Sequence, residues 1–305
     1  MNNDYHCSLS HCSLFIVFMP RVRIVTDSTA HFHDPDFPRR HHVAIVPLTI
    51  YFGRESFREG VDISSEQFFA RLDGSPTLPT AASPAPETFT AVYDELAQSG
   101  DSIVSIHLSS KLGSVWRNAK AGSEPLLGRC NVQVIDSLSA SVGLGLLVEA
   151  AVRAAEAGEP SDEVVRIVRG LVPRLYIEFF VESLDYLAHN KLFGRAQAVL
   201  GSMLGILPML AVEDGDIVPM EKVRTRQQAV EQLMEFVSEF SRLEHLAILQ
   251  NTAELTDESR QMINQLAVAF PGRQFPVEVY SPALGTFLGP NSMGVVVFEG
   301  TPDAD

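Results

Sequence analysis

Short runs of apolar, often β-branched residues alternate along the chain with stretches whose apolar positions recur at helical spacing. Val22 to Val25 reads as a strand that closes on the polar turn Thr26-Asp27-Ser28-Thr29. Val43 to Ile50 reads as a second strand, the run Ile103, Val104 and Ile106 as a third, and Val132 to Ile135 as a fourth. Between them, Ser64-Ser65-Glu66 opens a short helix carrying Phe68, Phe69 and Leu72 on one side, and Phe89, Val92, Tyr93 and Leu96 mark the next helix. An Ala-rich helix is predicted from Val142 to Ala157. The Pro-rich segment Pro76 to Pro86 is predicted to be a rigid loop, because proline cannot donate to a ladder. This strand and helix rhythm predicts a mostly parallel sheet covered by helices on both faces.

Gly158-Glu159-Pro160-Ser161 is the predicted boundary, with Ser161 as the next N-cap. It divides an N-terminal α/β domain over residues 21–160 from a C-terminal one over residues 161–305. Beyond it the pattern predicts a helix to Leu171, a strand from Tyr176 to Val181 and a helical stretch through Leu187. The apolar segment Ala196 to Leu210 follows. Glu213-Asp214-Gly215-Asp216 is a hairpin turn between strands Met209 to Val212 and Ile217 to Met220. Thr225 with Gln228 forms a capping box for a helix carrying Val230, Leu233, Met234 and Val237, and Thr256 caps another between strands Leu246 to Leu249 and Gly294 to Phe298. Hairpin and crossover signals together predict a second α/β domain with a mixed or antiparallel sheet.

Composition narrows the function classes. With 305 residues, 46% of them apolar, the chain can bury one large or two medium cores. A formal charge of -15 argues against a nucleic-acid partner, since phosphates would be repelled. Cys7, Cys12 and Cys130 show no metal-like spacing and suit a reducing cytoplasm, so the expected location is cytoplasmic and no metal is expected. The first twenty residues differ from the rest. The apolar run Leu14 to Phe18 is too short to span a bilayer and has neither a basic flank nor a small-residue cleavage site. Met19 is a candidate start, and residues 1–20 read as a disordered extension or start-site artefact. The longest other apolar run, Gly201 to Val212, is broken by Pro208, so stable membrane insertion is not expected.

The candidate chemistry centres on the stretch from Ser105 to Trp116, where a strand hands over to a helix-like segment. Ligands of open α/β sheets bind at such strand ends. Ser109, Ser110 and Ser114, with free N–H groups of the next turn, could hold an anionic head group without Lys or Arg; the alternative is a Ser-rich N-cap that binds nothing. His31, His33, His41 and His42 match no metal-site spacing and read as surface loop residues. Asp27 and Asp136, at two strand ends, could hold a metal or act as acid and base in a hydrolase or phosphoryl-transfer enzyme, or simply cap turns. Lys222, Arg224 and Arg226 form a basic cluster, either a partner-docking patch or a solvated strand end.

Taken together, the ordered motifs resemble the DegV family of bacterial fatty-acid-binding proteins. They are Thr26-Asp27-Ser28-Thr29, the Pro-rich loop with Thr80, Leu108-Ser109-Ser110-Lys111-Leu112, Asp136-Ser137, Glu213-Asp214-Gly215 with Glu221-Lys222-Val223-Arg224-Thr225, and the closing glycines Gly285, Gly289 and Gly294. The resemblance runs from Arg21 to about Glu299. It implies a two-domain protein that is not an enzyme, uses no cofactor and binds one long-chain, palmitate-like fatty acid in an apolar tunnel. It also implies a partner, a separate fatty acid kinase that converts the presented carboxylate to an acyl phosphate for phospholipid synthesis. The implied carboxylate ligands are Thr80, Ser109, Ser110 and Ser114.

Three positions depart from the family pattern. An ungapped alignment anchored on Pro79, Pro84 and Phe89 puts Ala81, not Thr80, at the family's Thr; Phe287 stands at the family's His; Lys191-Leu192 stands at its Gly-Arg pair, with Arg195 nearby. The Ser-Gly order is reversed at Gly113-Ser114. Met203, Leu207 and Phe287 are candidate tunnel or head-group neighbours, Met being suited to irregular apolar guests. A sixteen-carbon chain would gain on the order of 12 kcal/mol of gross transfer free energy, so apolar burial can supply most of the affinity.

Overall fold

A computed structural model describes residues 21–97, 101–192 and 205–300. The first sheet is parallel, in the order β2-β1-β6-β7, formed by β1 (Val22–Asp27), β2 (Ala44–Val46), β6 (Ser102–His107) and β7 (Val132–Asp136). Helices α3 (Pro86–Ala97) and α4 (Val115–Ser123) bury Phe89, Tyr93, Val115 and Ala119 in one apolar cluster. Helices α5 (Ser141–Glu156) and α6 (Ser161–Leu171) bury Leu144, Leu147, Val148, Val164 and Val168 in another. The doubly covered parallel sheet is as predicted.

Two expectations are corrected in this half. Val43 to Ile50 is not one strand: Pro47 and Leu48 separate β2 from β3 (Thr49–Phe52), which belongs to a different sheet. That small sheet, ordered β4-β3-β5, pairs β3 antiparallel with β4 (Glu55–Arg58) and with β5 (Thr80–Ala82). β5 lies inside the Pro-rich segment; its three residues fit between Pro79 and Pro84, so no proline interrupts the pairing. Helix α6 packs on α5, β6 and β7, and the chain enters the second sheet at Leu175. Ser161 is the first helical residue, and Pro160 holds the capping position.

The second sheet has six strands in the order β10-β9-β8-β13-β11-β12, namely β8 (Leu175–Phe180), β9 (Leu207–Glu213), β10 (Asp216–Val223), β11 (Leu243–Gln250), β12 (Val277–Val279) and β13 (Met293–Glu299). Only β11 and β12 run parallel, so the sheet is mixed, as expected. Asp214 and Gly215 both take positive φ, 48° and 80°, the type I′ geometry that their sequence favours. Around this sheet lie α2 (Ser65–Asp73), α7 (Asp185–His189), α8 (Arg226–Ser238), α9 (Asp257–Ala269) and α10 (Pro282–Leu288). Ser64 and Gln67 close a full capping box on α2; Thr225 and Thr256 accept from Gln228 and Ser259 as predicted, although the Gln228 side chain reaches the Arg224 N–H instead of Thr225. Most of the predicted apolar segment Ala196 to Leu210, with Met203 and Arg195, lies outside the described residues.

The two halves share one core. Val25, Ile50, Phe68, Ile103 and Leu112 from the first half join Ile177, Phe179, Leu210, Ile217, Leu249 and Phe287 from the second in a single cluster. The small sheet and α2 sit against α10, where a Cβ on Gly285 would come within 2.4 Å of the Phe68 ring.

Candidate binding site

The loop that follows β6 is held from beneath by carboxylates. Asp136 Oδ1 accepts the N–H groups of Ser110 and Leu138, each at 3.1 Å, and Asp27 Oδ2 accepts the N–H of Leu108 at 2.9 Å. Asp27 is fully buried and also takes Thr29 N–H, the Thr29 hydroxyl and His107 Nδ1. Beyond His107 the chain of contacts continues from Nε2 to the Ser105 hydroxyl at 2.6 Å and from there to the Tyr93 hydroxyl at 2.8 Å. With Asp27 ionised, one proton order satisfies all four groups: Tyr93 donates to Ser105, Ser105 to His107 Nε2, and Nδ1–H to Asp27. Burial pushes the Tyr93 phenol up, which keeps it a donor.

The order Asp, His, Ser is that of a hydrolytic triad. Here all three are sealed, with no exposed surface, and the relay ends on a phenol inside the core. Asp27 and Asp136 lie on either side of β6, level with His107, and each carboxylate is taken up by N–H groups of the turns and loop around it. No group of three His, Cys, Asp or Glu able to hold a metal exists among the described residues.

Above the loop a polar groove is lined by Ser110, Lys111, Gly113, Ser114, Arg117 and Lys191, with Ala81, Ala82 and Ser83 of the β5 segment opposite. It adjoins a narrow apolar slot of about 50 Å³, walled by Ile177, Val212, Ile217, Leu249, Leu284 and Leu288. Leu112 and Phe287 line both spaces and stand at the boundary between them, the throat. The slot lies between the halves, since Leu112, Ala140 and Ser141 come from the first and the remaining walls from the second.

The predicted site residues separate in this geometry. Ser110 and Ser114 line the groove, and Phe287 stands at the throat. The Ser114 hydroxyl accepts from Arg117, its N–H donates to the Ser83 hydroxyl, and it makes no side-chain cap on α4. Ser109 is fully buried and turned the other way, its hydroxyl donating to the Gly215 carbonyl. Thr80 pairs with Tyr51 in the small sheet and does not line the groove, whereas Ala81 does. Leu207 packs with Phe180, Met209 and Val223 on the other face of the second sheet, away from the slot. Met203 lies outside the described residues.

The basic cluster sits at the far end of β10 from the hairpin that touches Ser109, about 25 Å of strand away. Arg226 is tied to Glu182 at 3.0 Å, Glu258 at 2.8 Å and the Asn291 carbonyl, with its guanidinium over Phe180. Two of the surface histidines also bridge the halves: His31 Nε2 and His33 Nδ1 contact the two oxygens of Glu278 at 2.8 and 2.7 Å.

Sequence reasoning missed the groove's cations. Lys111 stands within the stretch from Ser105 to Trp116 and Arg117 directly after it, but Lys191 arrives from the other half and no local pattern announces it. Ser105 and His107 were also missed. Their signal was present, two polar residues at alternate positions of an otherwise apolar strand, hence on one face.

The sequence profile of the DegV family, described as uncharacterised proteins, matches residues 21–300. A DegV domain-containing protein of Streptomyces coelicolor is 34% identical over 284 residues, covering 90% of this chain and 98% of its own. Two solved structures superpose with TM-scores of 0.81 at 26% identity, each over 92% of this chain and 100% of its own: a DegV family protein from Thermus thermophilus described by its fatty acid binding, and DegV from Bacillus subtilis, described as a fatty acid binding protein. With the profile spanning both sheets, from the residue before β1 to the residue after β13, this chain belongs to the DegV family.

Proposed function

We propose that this protein binds one long-chain fatty acid, with the acyl tail in the slot and the carboxylate in the groove. The observation that carries the reading is the throat: Leu112 and Phe287 are shared by a slot walled by apolar side chains and a groove with hydroxyl and cationic side chains. That is the polarity profile of an amphiphile with one charged end. Ser110 and Ser114, with N–H groups of the loop, are the hydroxyl donors offered to the carboxylate, and Lys111, Arg117 and Lys191 supply attraction that a chain of net charge -15 otherwise opposes. Thr80 and Ser109 drop out of this arrangement because neither hydroxyl faces the groove. The fatty acid binding of the Thermus and Bacillus relatives supports the same reading.

A groove open to solvent also suits presentation of the carboxylate to a separate kinase, and the protein would then act as carrier rather than enzyme. Purified protein examined by native mass spectrometry and lipid extraction tests the reading. One co-purifying fatty acid per chain is the expected result. A chain that carries no lipid and shows no saturable uptake of long-chain acids would refute it.

A further inference from the structure

Glu59 follows β4 and is 3% exposed. Its carboxylate accepts from the Ser28 hydroxyl, in the turn after β1, and from the Ala283 N–H at 2.6 Å, in the first turn of α10; the Ser281 hydroxyl adds a third contact. Ser28 itself accepts the Leu48 N–H at 2.9 Å, so its own proton is directed to Glu59. Ala283 N–H can only donate. The Ala283 N–H fixes one carboxyl oxygen in either charge state, while the two hydroxyls can donate to a carboxylate or accept from the protonated acid.

The charged groups around Glu59 do not neutralise it. Asp27 is a second acid across the β1 turn, and its charge opposes that of Glu59. Arg58 is turned to solvent and paired with Asp62. Glu278, on the segment leading to α10, is taken by His31 and His33. Helix α10 reads Pro-Ala-Leu-Gly-Thr-Phe-Leu and has no titratable side chain. Burial therefore dominates and pushes the Glu59 carboxyl up to about 7, so both charge states are accessible near neutrality.

Helix α10 is the roof of the proposed site. Leu284, Phe287 and Leu288 line the slot, and Phe287 is half of the throat. We propose that Glu59 is a positioning residue for this roof: in its neutral form the buried carboxyl ties the first turn of α10 to the β1 turn, and ionisation, which places an uncompensated charge in the packed core, loosens the roof and weakens the grip on the ligand. The consequence for binding rests on the fatty acid reading; the pin itself does not.

Amide hydrogen exchange over residues 284–288, corrected for intrinsic pH dependence, reads the pin directly in wild-type protein and in Glu59→Gln. In the wild type, protection of these amides should fall about tenfold from about pH 6 to about pH 8, and fatty acid release should accelerate over the same range. Glu59→Gln, a neutral mimic of the protonated acid, should show the high protection at both pH values, and its fatty acid affinity should lose the matching pH dependence. Ser28→Ala, which removes one donor to the carboxylate, should move the wild-type midpoint to higher pH. Equal protection at both pH values in the wild type would overturn the proposal, whether or not Glu59→Gln folds. So would a pH profile in Glu59→Gln identical to that of the wild type. If no fatty acid binds at any pH, the ligand reading falls while the exchange profile still decides the pin.

Discussion

The hydroxyl of Ser109 donates to the carbonyl of Gly215 at 2.7 Å, fastening the groove loop of the first half to the hairpin turn of the second. A Cβ on Gly215 would stand 2.3 Å from that hydroxyl, and its φ of 80° already disfavours a side chain. Ser109→Ala should therefore cost about 1–3 kcal/mol of stability through the orphaned carbonyl and leave fatty acid affinity nearly unchanged. Gly215→Ala should cost more. Chemical denaturation of both variants, with binding measured alongside, checks this; full stability with weakened binding in Ser109→Ala would place its hydroxyl on the ligand after all.

Ser110 lines the groove, and its N–H is already committed to Asp136, leaving its hydroxyl for the ligand. Ser110→Ala should weaken fatty acid binding by about 1–3 kcal/mol. Lys111→Gln and Arg117→Gln, at the more solvated rim, should each cost about 0.2–1 kcal/mol and reduce the salt dependence of binding. Fluorescence displacement titrations at low and high salt separate the two effects.

Because Leu112 is shared by slot and groove, enlarging it should close the throat. Leu112→Trp is expected to lose the co-purifying lipid while retaining the fold, at an overpacking cost of about 1–3 kcal/mol. Native mass spectrometry reports the first outcome and circular dichroism the second. Lipid retained in this variant would mean the chain enters elsewhere.

Asp27 is the acceptor for Leu108 N–H, Thr29 and His107, so Asp27→Ala should destabilise the protein by about 3–5 kcal/mol and loosen the groove loop with it. The triad-like order behind it predicts no hydrolysis, because nothing reaches Ser105. Assays with generic ester and phosphate substrates, with and without divalent metal, should show no turnover. Turnover that disappears in Ser105→Ala would reverse this assignment.

Glu178, on β8, is 6% exposed, and burial, with Glu239 and Glu221 nearby, pushes its carboxyl up to about 7. The folded state thus binds this proton more tightly than the unfolded chain does, and stability should fall as pH rises through the window from the ordinary carboxylate value to about 7. Glu178→Gln should flatten that slope and be the more stable protein, by about 1–3 kcal/mol, above neutral pH. Urea denaturation at a series of pH values reads the difference.

Much of the fold was legible because it is written in local periods. The β-branched runs of β1, β6 and β7 and the amphipathic spacing of α2 and α3 follow from burying one face, whatever the rest of the chain does. Where prediction failed, a neighbour distant in sequence decided. β5 exists because β3 offers it a ladder, and Pro47 and Leu48 part β2 from β3 because the two strands pair in different sheets. Helix α10 was not foreseen at all; its seven residues have no polar face and are buried almost throughout.

The site divides in the same way. The amino-acid order by itself determined the strand-end serines, the Asp214-Gly215 turn, whose positive φ angles need those residue types, and the motif series shared with the DegV family. Tertiary structure alone decided that Ser109 faces a hairpin while Ser110 faces a groove, that Lys191 joins Lys111 there, and that Glu59 meets Ala283 across 224 residues of chain. The physical reason is one of range. Backbone period and turn geometry are set by residues a few positions apart, whereas the direction in which a hydroxyl points, and the charge a buried acid carries, are set by whichever distant segment packs against it.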